Sequence, residues 1–117
     1  MAFSPVSSDF DLAGELTALL GPDRVSVASE VLDTHSIDKW HASAPPDVVV
    51  LAKERDDVVK TMRFAHEHGI PVTTRGAGVG YVGGAVPVQG GIVLSVRGMD
   101  QIVEINTADG VAVVQPG

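Results

Sequence analysis

Apolar residues come in short blocks along this chain, and the spacing inside each block sets the element to expect. Residues 10–20 (FDLAGELTALL) place Leu12, Leu16, Leu19 and Leu20 on one face of a helix, with Ser8 or Asp9 as its cap and Gly21-Pro22 as its stop. Residues 1–7 read as a flexible lead-in. From 24 to 40, β-branched residues mix with Ser, Asp and His, which predicts irregular backbone with short helical or extended pieces, closed by the extended Pro45-Pro46. Residues 47–52 (DVVVLA) form an unbroken apolar run of strand length, the pattern of a buried strand. Helical spacing returns over 56–68, where Val58, Met62 and Ala65 share a row with Val59 beside it. Asp56 and Asp57 suit the positive end of that helix, and Gly69 suits the residue just past its last turn. A second strand over 70–74 completes a βαβ unit. Farther on, 91–96 (GIVLSV), 101–106 (QIVEIN) and 111–114 (VAVV) read as three strands joined by turns at 97–100 and 108–110. The expected fold class is α+β, a βαβ unit followed by a β-meander.

The stretch 70–87 (IPVTTRGAGVGYVGGAVP) departs from every such pattern. Gly76, Gly78, Gly80, Gly83 and Gly84 crowd together, so the loop has few side chains to fill a core and offers its backbone instead. Glycine reaches positive φ without steric cost and lets a ligand approach the main chain, so successive N–H groups can converge on an anion. The loop leaves the carboxyl end of a strand, where α/β folds bind ligands, and reads as a cradle for the phosphates of a nucleotide-type cofactor. A purely structural turn between two strands is the alternative. Gly78, Gly80 and Gly83 spell GxGxxG, but that motif must open a helix, and the Gly84-Ala85-Val86-Pro87 that follows cannot sustain one. A Walker-type phosphate loop is excluded because no Gly-Lys-Ser/Thr follows.

Charge does not forbid an anion. The chain has 117 residues and a formal net charge of −7, which argues against nucleic acid or an anionic membrane as partner. A hydrogen bond to a charged group still contributes roughly 1.5–3 kcal/mol, so a few aligned amides outweigh a diffuse field screened over about 8 Å. Arg75 either adds a local positive charge or pairs with a surface carboxylate. Aromatic residues make up 4% of the chain, so its core must rest on Val, Ile, Leu and Ala. There is no cysteine, and with it no disulfide and no thiolate metal site. No basic start, secretory apolar run or membrane-length segment is present, which makes a cytoplasmic protein the expectation.

The run Arg75-Gly76-Ala77-Gly78-Val79-Gly80-Tyr81-Val82-Gly83-Gly84-Ala85-Val86-Pro87, then GGIVLSVRGMDQIVEIN and VAVVQPG, resembles the first part of a known cofactor domain. It is similar to the FAD-binding domain of the vanillyl-alcohol oxidase/p-cresol methylhydroxylase (PCMH) type, especially the glycolate oxidase and D-lactate dehydrogenase branch. The resemblance covers about residues 31–117. It implies a division into a lead-in and helix over 1–30 and a partial FAD-binding domain over 31–117 that stops short at its C-terminus. It implies that Arg75, Gly76, Ala77, Gly78, Val79, Gly80, Tyr81, Gly83 and Gly84 surround the FAD diphosphate, with Gly117 reaching toward the cofactor from a later strand end. In the hydroxy-acid branch Thr and Ser usually stand where this chain has Val79 and Gly80, so its loop would rely more on backbone donors. Gly80-Tyr81 instead resembles the phenol-oxidase branch. Some relatives attach flavin through a His at the place of Val79, so non-covalent FAD is expected here.

The other polar residues carry less. His66 and His68 lie on different faces of their helix, which suits favourable charge near its C-terminus rather than a shared metal. His35, Asp38 and His41 offer a conceivable metal or acid–base group in an irregular segment, and no metal is assigned. Trp40 reads as a packing anchor and Tyr81 as the aromatic nearest the ligand. The resemblance implies an FAD-dependent oxidase or dehydrogenase acting on a small 2-hydroxy acid such as glycolate or D-lactate. Its substrate would be held by a C-terminal domain beyond this chain, and no catalytic residue is named within it. A phenolic-alcohol oxidase and a catalytically inert remnant or binding domain are the alternatives.

Overall fold

The computed structural model describes residues 9–117, so the expected lead-in over 1–7 and Ser8 as a cap lie outside the described residues. The first helix, α1 (Leu12–Leu20), starts later than its apolar pattern suggests. Its cap is Asp11, whose carboxylate accepts from the Gly14 amide at 2.9 Å, and not Asp9. Leu12 and Leu16 are buried while Leu19 is exposed. A 3-10 turn at Pro22–Arg24 leads to the two-residue strand β1 (Val25–Ser26) and the short helix α2 (Ser29–Thr34), the mixture expected of that segment. Then come β2 (Val48–Leu51), α3 (Arg55–His68) and β3 (Val72–Arg75), the βαβ unit. Gly69 ends α3 at φ 64°, ψ 33°, the left-handed cap that the sequence marks.

The α+β class stands, but the meander does not. The strand over 91–96 is β4 (Ile92–Ser95), and it pairs parallel with β2 on one side and with β3 on the other. Sheet order is β1-β2-β4-β3, with β1 antiparallel at the edge. Of the three strands expected to form the meander, β5 (Ile102–Asn106) and β6 (Val111–Val114) form an antiparallel hairpin, a separate two-stranded sheet. The physical reason lies in the side chains: all four residues of β4 are buried, as a central parallel strand requires. On β5 and β6, by contrast, Ile102, Val103, Ile105, Val111, Val113 and Val114 are all exposed.

Val48, Val50, Ile92 and Leu94 turn one face of the sheet toward Leu12, Leu16, Phe64 and Ala65, the core beneath α1 and α3. The buried stripe of α3 differs from its apolar row. Met62 is exposed, and Asp57, Thr61, Phe64 and Ala65 face inward. Thr61 hides its hydroxyl by donating to the Asp57 carbonyl at 2.7 Å. The Asp57 carboxylate accepts from the Lys53 and Glu54 amides and from Arg24 Nε at 2.9 Å, and Glu54 returns the bond in a capping box. Burial would raise the pKa of this carboxyl, but the Lys53 amide, the Arg24 guanidinium and the Glu54 amide together hold it below the usual carboxylate value.

A depressed folded-state pKa adds stability above the unfolded pKa, and that stability is lost as pH falls through the folded value. Asp57→Asn is therefore expected to cost about 1–3 kcal/mol at neutral pH. The variant's deficit should shrink on acidification as the parent loses the same contribution. Urea melts across the acidic range check this, and a deficit that does not change with pH contradicts it.

Candidate functional site

Parallel neighbours need a crossover of a dozen or more residues, usually a helix. Between β3 and β4 that crossover is the irregular glycine segment 76–91, which contains no helix, so the context a Rossmann fingerprint demands is absent. A long loop without regular structure inside a small domain points to a functional role.

Three polar anchors hold this loop in shape. At its start Arg75, the last residue of β3, donates to the carbonyls of Ile37 at 2.7 Å and Thr34 at 3.2 Å, and across the loop to Ala85 at 3.4 Å. In its middle the Asp38 carboxylate accepts from the Gly83 amide at 2.9 Å and from Trp40 at 2.8 Å, while the Lys39 amide donates to the Gly80 carbonyl at 3.3 Å. At its end Asp47 accepts from the Gly91 amide at 2.6 Å and returns a backbone bond of 2.9 Å. Val86 and Pro87 are buried.

Between these anchors the backbone is open. The amides of residues 76–82 meet no acceptor among the described residues, whereas Gly83 and Val86 are both bonded. Val79, Tyr81 and Val82 are exposed. The candidate residues thus divide. Gly76, Ala77, Gly78, Val79, Gly80 and Tyr81 present a run of unbonded donors at the carboxyl end of β3, followed after Val82 by Gly83, braced by Asp38, and by the exposed Gly84. Arg75 has its guanidinium committed to three carbonyls, and burial lowers its pKa although Asp38 acts the other way. Gly117 donates to the Met99 carbonyl at 2.7 Å and is packed so closely on the 96–99 backbone that no Cβ fits there. It nevertheless lies near the loop, since a Cβ placed on Gly76 would come within 3.6 Å of the Pro116 carbonyl oxygen.

Gly78 is the most constrained glycine of the open stretch. Its φ is 70°, which side chains rarely adopt, and a Cβ there would run into the Arg75 guanidinium. Gly80 and Gly84 have neither constraint. Unbonded N–H groups in series are donors of the kind that an anion such as a diphosphate accepts from, without cationic side chains.

Sequence reasoning treated Asp38 as a weak metal candidate and missed its role as the loop's brace. The available signal was the Asp38-x-Trp40 spacing, which suits an Asx turn. His35 bonds the Val31 carbonyl through Nδ1 at 2.8 Å, and His41 has a φ of 70°. Among the described residues no three His, Cys, Asp or Glu side chains gather as metal ligands. Trp40 is not a buried anchor. It is 70% exposed and meets Tyr81 edge to face, ring centroids 6.3 Å apart, at the rim of the glycine loop. His68 stacks on Phe64 at 4.3 Å and donates to its carbonyl, which gives it a packing role at the end of α3. No helix among the described residues is long and apolar enough to cross a membrane.

Known proteins are similar to this chain. The chain is 35% identical over 101 residues to a probable mitochondrial D-lactate dehydrogenase of Danio rerio, covering 86% of this chain and 20% of that protein. It is 31% identical over 108 residues to the glycolate oxidase subunit GlcD of Bacillus subtilis (strain 168), covering 92% and 23%. Among solved structures, p-cresol methylhydroxylase with substrate bound superposes with a TM-score of 0.68 and 32% identity, over 81% of this chain and 19% of that one. The chain spans about a fifth to a quarter of the length of these curated relatives. The profile of the FAD binding domain matches residues 46–117, which takes in β2, α3, β3, the open amides, β4 and the hairpin, and the chain belongs to that family.

Proposed function

We propose that this chain holds the diphosphate of non-covalent FAD in a flavin-dependent oxidoreductase that oxidises a small 2-hydroxy acid. The observation that carries the cofactor reading is the run of unbonded amides over 76–82, braced from outside by Arg75, Asp38 and Asp47. Gly76 through Tyr81 donate to the phosphate oxygens, Gly83 and Gly84 turn the chain away behind them, and Arg75 acts through the carbonyls it gathers. Residues 31–117 form the partial flavin domain, and 1–30 supply the helix whose Leu12 and Leu16 complete its core. When bound, the flavin supplies hydride acceptance, and the protein supplies binding and orientation. Substrate is held by a further domain, as the greater length of the relatives suggests. The D-lactate dehydrogenase and GlcD relatives favour a 2-hydroxy acid. A second reading, oxidation of a phenolic alcohol, is favoured by Gly80-Tyr81 and by the likeness to p-cresol methylhydroxylase.

The test follows backbone amide resonances of the isotope-labelled chain during titration with FAD, ADP and riboflavin. FAD and ADP should shift residues 76–82, and riboflavin, which lacks the diphosphate, should not. Loop amides that ignore FAD and ADP would overturn the reading.

A further inference from the structure

A second feature of the same sheet end stands apart from the glycine loop. Where β2 and β4 finish, a cavity of about 270 Å³ opens among Leu51, Ala52, Lys53, Ser95, Arg97 and His35. Its lining is mostly apolar, and Lys53, Arg97 and His35 are the ionisable residues among those that form it. Ser95 is 2% exposed, lines the cavity, and has no hydrogen-bond partner for its hydroxyl among the described residues. Arg97 has no carboxylate within ion-pair distance among the described residues, while Lys53 Nζ lies 3.6 Å from Asp23. Burial chiefly lowers the pKa of His35, and the charges of Arg75 and Arg97 lower it further against the Val31 carbonyl, which acts the other way. Positive groups are thus gathered at one corner of a chain whose net charge is −7.

We propose that this cavity is an anion site of its own, taking one phosphate or carboxylate group between Arg97, His35 and the Ser95 hydroxyl. Mutual repulsion among Arg75, Arg97 and a protonated His35 is relieved when an anion enters, and the apolar lining accepts a short carbon chain behind it. Lys53 adds a weaker attraction because Asp23 already partly neutralises it. Asp38 offsets the charge of Arg75 and does not line the cavity. Two sources fit this chemistry: a free small anion, or a phosphate of the cofactor reaching over from the loop.

The experiment follows the His35 ring proton and the 76–82 amides by NMR in the 117-residue chain. The ligands are inorganic phosphate, acetate and FAD, each with the parent and with Arg97→Gln. A phosphate- or acetate-induced rise in the His35 titration midpoint, with affinity falling about tenfold in Arg97→Gln, supports a site for a free anion. A rise with FAD alone, again weakened by Arg97→Gln, supports the site with the cofactor as its source. Phosphate that moves His35 while FAD leaves the loop amides untouched supports the cavity and removes the cradle. If FAD shifts 76–82 but no ligand moves His35, the cavity proposal fails and the cradle stands; if Arg97→Gln changes no affinity, the cavity proposal fails and the loop amides alone decide the cradle. A chain in which no ligand moves either probe overturns both.

Discussion

Gly78→Val is expected to abolish flavin retention while leaving the secondary structure in place. The residue sits at φ 70°, where a β-branched side chain is a severe outlier, and its Cβ would collide with the Arg75 guanidinium. Relief requires either Gly78 to flip toward negative φ or Arg75 to release the carbonyls of Thr34, Ile37 and Ala85. Both routes re-aim the amides of 77–79. Losing two aligned donors, each contributing roughly 1.5–3 kcal/mol to a charged acceptor, weakens binding by about a hundredfold or more. The core under α1 and α3 lies on other residues, so circular dichroism should be retained. The measurement is yellow flavin absorbance remaining with the protein after gel filtration. Gly80→Ala is the companion, because nothing lies within 4 Å of its added methyl. A Gly78→Val protein as yellow as the parent would remove the cradle.

Asp38→Ala should produce the next largest effect. This carboxylate is 9% exposed and binds the amides of Gly83 and Trp40 at 2.9 and 2.8 Å. Its removal frees the middle of the loop and takes away the charge that offsets Arg75 beside Arg97. We expect a loss of about 2–4 kcal/mol and a fall in Tm on the order of 10 °C or more. Hydrogen exchange should show the Gly83 amide losing protection, and flavin affinity should drop because the loop must be ordered on binding. Asp38→Asn keeps an acceptor of the same shape and should fall between the two. An unchanged Tm with a still protected Gly83 amide would mean that the brace is not Asp38.

The sequence marked those features of the fold that depend on local chemistry. The run DVVVLA, the row around Ala65 and the cap at Gly69 each specify their element within a few residues, and each stands in the structure. What was not legible depends on partners distant in the chain. GIVLSV has the composition of a strand, but whether it joins QIVEIN or slips between β2 and β3 is decided by which surfaces remain to be covered. Thr61 escaped an apolar count because its polarity is cancelled by its own helix backbone. The glycine loop was visible as a run of residues without useful side chains. Its braces were not, since Asp38 and Gly83 lie 45 positions apart and Arg75 reaches carbonyls 38 and 41 positions away.

The placement of β4 also governs how the chain can be made. It is the last of the four strands to leave a ribosome and the one that occupies the middle of their sheet. Until residues 92–95 arrive, β2 and β3 have no common neighbour, and the intervening loop has no second end to be pulled against. Closure joins segments far apart in the chain, the kind of topology that folds slowly. The loop therefore acquires its shape in the same step that zips the sheet shut, and an error in threading β4 would leave an intact helix pair beside a binding surface that never forms.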